Sequence, residues 1–183
     1  MVDYKQVMTV EDFEAFTLLP ENADRLFEFI GGEVVEVPSN PYSSKVSSNV
    51  NYYLHQWLRS NNIAGHITGE AGGYRVSGER YAPDVAYISK SRQPELAQEG
   101  YNPIAPDLAV EVVSPTDSER SLKIKIVNYL AAGTTVWAMY PDTNEVEIYA
   151  PGEPVKVLDE NDTLDGGKVL PGFKVSVKEL FGK

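Results

Sequence analysis

Apolar and polar positions alternate along this chain in two periods. Thr9-Val10-Glu11-Asp12 reads as a helix start, with Thr9 as cap and acids in the first turn, and the helix should end near Leu19-Pro20. Arg25–Ile30 and Glu33–Val37 flank Gly31-Gly32, the signature of a two-residue hairpin. From about Ser43 to Asn61 the residues Val46, Val50, Tyr53, Leu54, Trp57 and Leu58 recur at helical spacing and predict an amphipathic helix. His66 to Val76, broken by Gly72-Gly73, predicts one or two strands, and Val85–Ile88 another. Residues 90 to 106 are polar and proline-punctuated, which predicts a surface loop.

The stretch around which the rest is organised runs from Asp107 to Gly133. Asp107–Val113 is an apolar, β-branched run, the pattern of a buried strand, and Ser118–Ala132 is a helix with Gly133 as its C-terminal cap. Strands at Thr134–Tyr140 and Val146–Ala150 flank a turn at Pro141–Asn144. Val155–Leu158, Lys168–Leu170 and a short helix near Val177–Phe181 finish the chain. Hairpins combined with one strand–helix–strand crossover at 107–140 predict a mixed α/β (α+β) fold in a single domain, 1–183: a mixed sheet flanked by helices.

Glu111 stands in the middle of the buried strand. An unpartnered buried carboxylate costs several kcal/mol, so it is expected to be neutralised, paired or bound to metal. Asp107 lies on the same face, but four residues at roughly 3.3 Å each separate the two by about 13 Å, too far to share one ion. Asp84 opens a different strand that can lie beside the first, which makes Asp84 with Glu111 the better pair; Asp84 can equally be a hydrogen-bonded strand start. Lys123 and Lys125 follow on the helix, and helical geometry does not choose between them. Both stems can also simply pack on apolar neighbours with their ammonium groups in water.

Composition narrows the chemistry. The 183 residues are 42% hydrophobic and 23% charged, as in ordinary globular proteins. No window holds the roughly 18 consecutive apolar residues of a membrane span, and the N-terminal residues do not read as a basic and apolar leader, so the protein is expected to be cytoplasmic. There is no cysteine and only two histidines, so any metal is expected on oxygen ligands, which suits Mg²⁺ or Mn²⁺. A net charge of −11 argues against tight, non-specific binding of nucleic acid, although a local basic strip is compatible with it.

Taken together, Pro83-Asp84-Val-Ala, Pro106–Thr116 around Glu111, Lys125–Gly133 and Val136-Trp137 resemble the Uma2 family, restriction-endonuclease-like proteins common in cyanobacteria. Arg25–Val34, with Glu28, and Val169–Phe173 extend the resemblance over nearly the whole chain. It implies the PD-(D/E)XK nuclease fold, a restriction-endonuclease-like central mixed sheet with N- and C-terminal hairpins. It also implies Asp84 and Glu111 as ligands of Mg²⁺, with the Val112 backbone carbonyl as a further oxygen. The superfamily's lysine two residues after the glutamate is absent, because Val113 occupies that place; by resemblance Lys125 takes over from the helix. Glu70 is a further candidate carboxylate, though Gly69-Glu-Ala-Gly72 is equally a solvated bend, and Glu28 is a weaker one, since hairpin acids are usually on the surface. Ser114, Thr116 and Asp117 are expected to cap the helix. The implied activity is Mg²⁺-dependent cleavage of DNA; the alternative is a catalytically silent binding protein with remnant acids. A homodimer through exposed apolar strands such as Val146–Tyr149 is a further expectation.

Overall fold

The computed structural model describes residues 8–37, 40–114 and 117–183. Helix α1 (Val10–Thr17) starts at a capping box: the Asp12 N–H donates to the Thr9 side chain while the Asp12 carboxylate accepts from the Thr9 N–H. Its buried Phe13 packs on Phe29, ring centroids 5.3 Å apart. Phe29 belongs to β1 (Phe27–Ile30), which pairs with β2 (Glu33–Glu36) through Gly31-Gly32. Both glycines have positive φ, 59° and 83°, as a two-residue primed turn requires. Helix α2 (Pro41–Ser60) is capped by Asn40, whose side chain accepts from the Tyr42 and Ser43 N–H groups. Strands β3 (Gly65–Gly69), β4 (Tyr74–Val76), β5 (Glu79–Tyr81) and β6 (Val85–Ser89) follow, then β7 (Leu108–Val112), α3 (Glu119–Ala131) and β8 (Thr135–Tyr140). The chain closes with β9 (Glu145–Tyr149), β10 (Lys156–Leu158), β11 (Thr163–Asp165), β12 (Lys174–Ser176) and α4 (Val177–Leu180).

A six-stranded mixed sheet in the order β10-β9-β8-β7-β6-β3 forms the centre. Its one parallel pair is β7–β8, connected by α3, since only a crossover can join parallel neighbours. Side chains of β7 alternate between two cores. Leu108, Val110 and Val112 face α2 (Val46, Val50, Leu54) and the C-terminal residues Phe173, Leu180 and Phe181. Ala109, with Ala86 and Val136, faces Ile126 and Tyr129 of α3 and Tyr74 and Tyr81 of a second, antiparallel sheet ordered β2-β1-β5-β4. Small residues on this second face let α3 and the hairpin sheet come close, and Glu111 projects into that gap.

Several local expectations are corrected. Lys168–Leu170 forms a turn: the Leu170 N–H donates to Gly166 O and the Phe173 N–H to Leu170 O. The strands in this region are β11 and β12, each with one apolar residue between polar ones, too short a pattern to read. Strand β5 was hidden by its two-residue turn, Ser77-Gly78, where both residues take positive φ. Strand β9 is covered on its outer side by β10 and its Val146 is fully buried, so Val146–Tyr149 is no exposed edge for a dimer. Residues 90 to 106 form no regular element, yet they are tied down by a reciprocal amide pair between buried Gln93 and Asn102, both bonds 2.7 Å. Helix α3 is capped by Ser118, whose hydroxyl accepts from the Ser121 N–H, while Asp117 accepts from the Ser114 N–H; Thr116 lies outside the described residues.

Candidate active site

Strand pairing brings the two acids together. Residues Val85, Ala86 and Tyr87 of β6 pair with Val110, Ala109 and Leu108 of β7. Continuing that antiparallel register by one residue sets Asp84 opposite Glu111, with both side chains on the face covered by α3. Asp84 is then fixed from behind: its Oδ2 accepts the Val112 N–H at 2.7 Å. The same extension of the β3–β6 register, where Gly69 pairs with Val85, sets Glu70 beside Asp84 on the outer side, where Glu70 is exposed.

Helix α3 completes the cluster with two side chains one turn apart, Lys125 and Tyr129, both buried. Lys125 Nζ lies 2.6 Å from Glu111 Oε2 and 2.8 Å from Glu28 Oε1. Tyr129 donates its hydroxyl proton to the other Glu111 oxygen, Oε1, at 3.0 Å. Glu28, on β1, also accepts the Ala82 N–H at 2.7 Å. Tyr81 lies under the lysine, its ring centroid 5.6 Å from Nζ, and tilts edge-on to Tyr129. A hydrogen-bonded frame steadies that ring: Tyr81 O–H and Asn128 Nδ2 both bond the Glu79 carboxylate, and Asn128 also donates to the Tyr81 oxygen at 2.7 Å. Lys123, in contrast, is exposed and pairs with Glu119 one turn earlier. Asp107 is engaged elsewhere, accepting from the Ser89 N–H and pairing with Arg92.

Three carboxylates (Glu28, Asp84, Glu111) therefore face one ammonium in a low-dielectric cleft, a formal surplus of two negative charges. The titration behaviour reflects this. Burial pushes the Asp84 carboxyl up to about 6, against the pull of the Val112 N–H and Lys125. Burial also raises Glu111, with Glu28 and Asp84 adding to the rise and Lys125 opposing it. Lys125 would be lowered by burial, but Glu111 and Glu28 outweigh this and raise it above the ordinary lysine value. Burial and the adjacent Glu111 hold Tyr129 well above its usual range, so it remains a donor.

Asp84, Glu111 and Lys125 line a cleft of 450 Å³ between α3 and the β1–β2 hairpin. Among the described residues no three Asp, Glu or His side chains converge tightly enough to hold an ion alone. A divalent ion here would take two carboxylates and fill its remaining positions with water, substrate or backbone oxygen, the usual habit of Mg²⁺. Charge and donor type both fit: a hard oxygen site whose surplus a single divalent cation neutralises. At Val112 the structure shows the N–H engaged by Asp84.

Two of these residues were not weighted correctly from sequence. Glu28 is only 5% exposed and shares Lys125 with Glu111, although a hairpin position suggested the surface. Its signal was the flanking Leu-Phe and Phe-Ile, which make β1 a strand buried on both faces. Tyr129 was legible as an apolar helix position, but nothing in its spacing indicated a partner on β7.

The sequence profile of the Uma2 family, described as "Putative restriction endonuclease", matches residues 10–178. A solved structure described as a putative nuclease belonging to DUF820, from Anabaena variabilis ATCC 29413, superposes with a TM-score of 0.80 at 24% identity, covering 95% of this chain and 97% of that one. It shares the fold. No curated protein matches the chain.

Proposed function

The chain belongs to the Uma2 family, and from that premise we propose that it hydrolyses phosphodiester bonds in DNA, using a divalent ion bound by Asp84 and Glu111 and assisted by Lys125. The observation that carries this reading is the buried Lys125–Glu111 pair, at 2.6 Å, set level with Asp84 on one sheet face. Such an arrangement is costly in a structural core, where an apolar cluster of similar volume is commonly as stable or more so.

An Mg²⁺ or Mn²⁺ ion bound there, with the Val112 carbonyl and the outer Glu70 as further oxygens, would supply Lewis acidity at the phosphate and lower the pKa of water. The protein's own groups do the rest. Asp84, tethered to the Val112 N–H, is held at a fixed height beside Glu111. Tyr129 fixes the orientation of the Glu111 carboxylate through Oε1. Lys125, kept cationic by two acids, is poorly suited to accept a proton; it orients water and offsets the negative charge that develops on the phosphoryl oxygens. Glu28 holds the lysine in place through a second ion pair, 2.8 Å from Nζ.

Plasmid nicking with Mg²⁺ or Mn²⁺ tests the proposal. The wild type should convert supercoiled DNA to the nicked form, and Asp84→Ala and Glu111→Ala should each abolish this. Activity that survives both substitutions removes the assignment.

One observation favours a catalytically silent protein instead. Glu28 and Glu111 both pair directly with Lys125, which offsets part of their charge by itself. Titration calorimetry with Mn²⁺ separates the readings, because a silent remnant should give no binding heat that depends on Asp84.

A further inference from the structure

A strand-cleaving site in a chain of net charge −11 needs a place where phosphates are not repelled, and the distribution of the 27 acids supplies one. Between Glu36 and Glu70 there is no aspartate or glutamate. That acid-free stretch is α2 and β3, the elements beside the candidate active site. Along α2, Ser44, Ser48, Asn51, His55 and Arg59 recur at spacings of three and four, so they share one face. All five are exposed or half-buried, and the stripe runs for about 22 Å at 1.5 Å per residue.

The N-terminal half of the stripe forms a shallow cleft of 350 Å³ with Gly69, Glu70 and Asp84, and with Tyr52, which is 60% exposed. Asp84 lines this cleft and also the one that holds Glu111 and Lys125. The two clefts therefore meet at Asp84. Among the residues lining this cleft the acids are Glu70 and Asp84, where a cation would lie; the other walls carry hydroxyls and one amide.

We propose that this face of α2 is the surface on which the phosphodiester backbone of the DNA substrate lies, so that a strand running along it reaches Asp84, where the cleft holding Glu111 and Lys125 begins. The proposal deepens the nuclease reading and rests on it. Neutral donors are adequate for the task, since a large share of protein–DNA hydrogen bonds run from Ser, Asn, Tyr and similar groups to phosphate oxygens. The Ser48 hydroxyl, which donates to Ser44 O at 2.7 Å, can rotate toward a phosphate. With Arg59 as the stripe's single fixed cation, log Kd should change with log salt by a slope of only about 1 to 2, against about 6 to 10 for proteins that rely on many lysines and arginines.

The test uses fluorescence anisotropy of a labelled DNA duplex with Mg²⁺ and the full-length chain. Ser48→Asp combined with Asn51→Asp adds two charges to the stripe. Val127→Asp with Val157→Asp adds the same two charges at positions 64% and 58% exposed on α3 and β10. The stripe variant should weaken binding about tenfold or more, and the control by less than about threefold, because nearby like charges dominate over distant ones. Arg59→Ala should flatten the salt slope by about 1. Equal weakening in both double variants, or no duplex binding by the wild type, overturns the proposal. Mn²⁺ calorimetry on the same proteins keeps the two claims apart. Mn²⁺ uptake with no stripe effect sinks the α2 surface alone. A stripe effect without Mn²⁺ uptake sinks the metal site and leaves the surface standing.

Discussion

Replacing Lys125 by Met keeps most of the stem's volume and removes the charge. In the wild type the ammonium bonds Glu28 at 2.8 Å and Glu111 at 2.6 Å, and all three side chains are at most 10% exposed. Without it two buried carboxylates face each other with no cation, and breaking a buried pair in this way typically costs about 3–5 kcal/mol. The acids have an escape, because a proton can take the lysine's place. Protonating a carboxylate whose unfolded pKa is about 4.3 costs about 1.36 kcal/mol per pH unit above that value, hence about 3.7 kcal/mol at pH 7 and about 1.6 kcal/mol at pH 5.5. The variant should therefore be less stable by about 3–4 kcal/mol at pH 7 and by about half that at pH 5.5. For a chain of this length the loss at pH 7 corresponds to a fall in Tm of roughly 10 °C. Urea unfolding followed by circular dichroism at both pH values measures it. A loss below about 1 kcal/mol at pH 7, or an equal loss at both pH values, would refute the bridging role assigned to the ammonium.

Other substitutions probe the neighbours of the lysine. Tyr129→Phe removes the donor to Glu111 Oε1 while keeping the ring, and should cost about 1.5–3 kcal/mol in urea unfolding, the range for hydrogen bonds to charged groups. Asp84→Asn can still accept the Val112 N–H but carries no charge, so at pH 8 the metal-free protein should become more stable by about 1 kcal/mol while calorimetry shows Mn²⁺ binding lost. The metal-free wild type should also lose stability as pH rises. Asp84 is raised to about 6, so between about pH 4 and 6 the native state holds a proton that the unfolded chain has released, and stability falls through that window. Mn²⁺ should consequently raise Tm more at pH 8 than at pH 5.5; an equal rise would show that it binds elsewhere.

Much of the fold could be read because its signals are local. Capping at Thr9, the Gly31-Gly32 turn, the helical period of α2 and the apolar run of β7 each depend on a few adjacent residues. The crossover through α3 followed from the order strand, helix, strand. What stayed hidden depends on distant partners. Glu28 is on a hairpin strand whose apolar neighbours signal burial, but no local pattern says that α3 covers it and supplies Lys125. The choice between Lys123 and Lys125 depends on how α3 rolls on the sheet, which is set by Ile126 and Tyr129 fitting against Ala86 and Ala109. Strands β5, β11 and β12 have three residues each, fewer than a period-two pattern needs to emerge. The short C-terminal strands close the core through Leu164 and Val175, contacts that only the assembled fold provides.

The most direct test of the candidate site is anomalous diffraction from crystals soaked in Mn²⁺ at pH 8, where Asp84 is ionised. One peak is expected between the Asp84 and Glu111 carboxylates, at about 2.1 Å from an oxygen of each, with Lys125 still bonded to Glu28. Crystals of Asp84→Asn should show no such peak. A wild-type map without manganese there, or with manganese bound only away from Asp84 and Glu111, would contradict the metal-dependent nuclease reading.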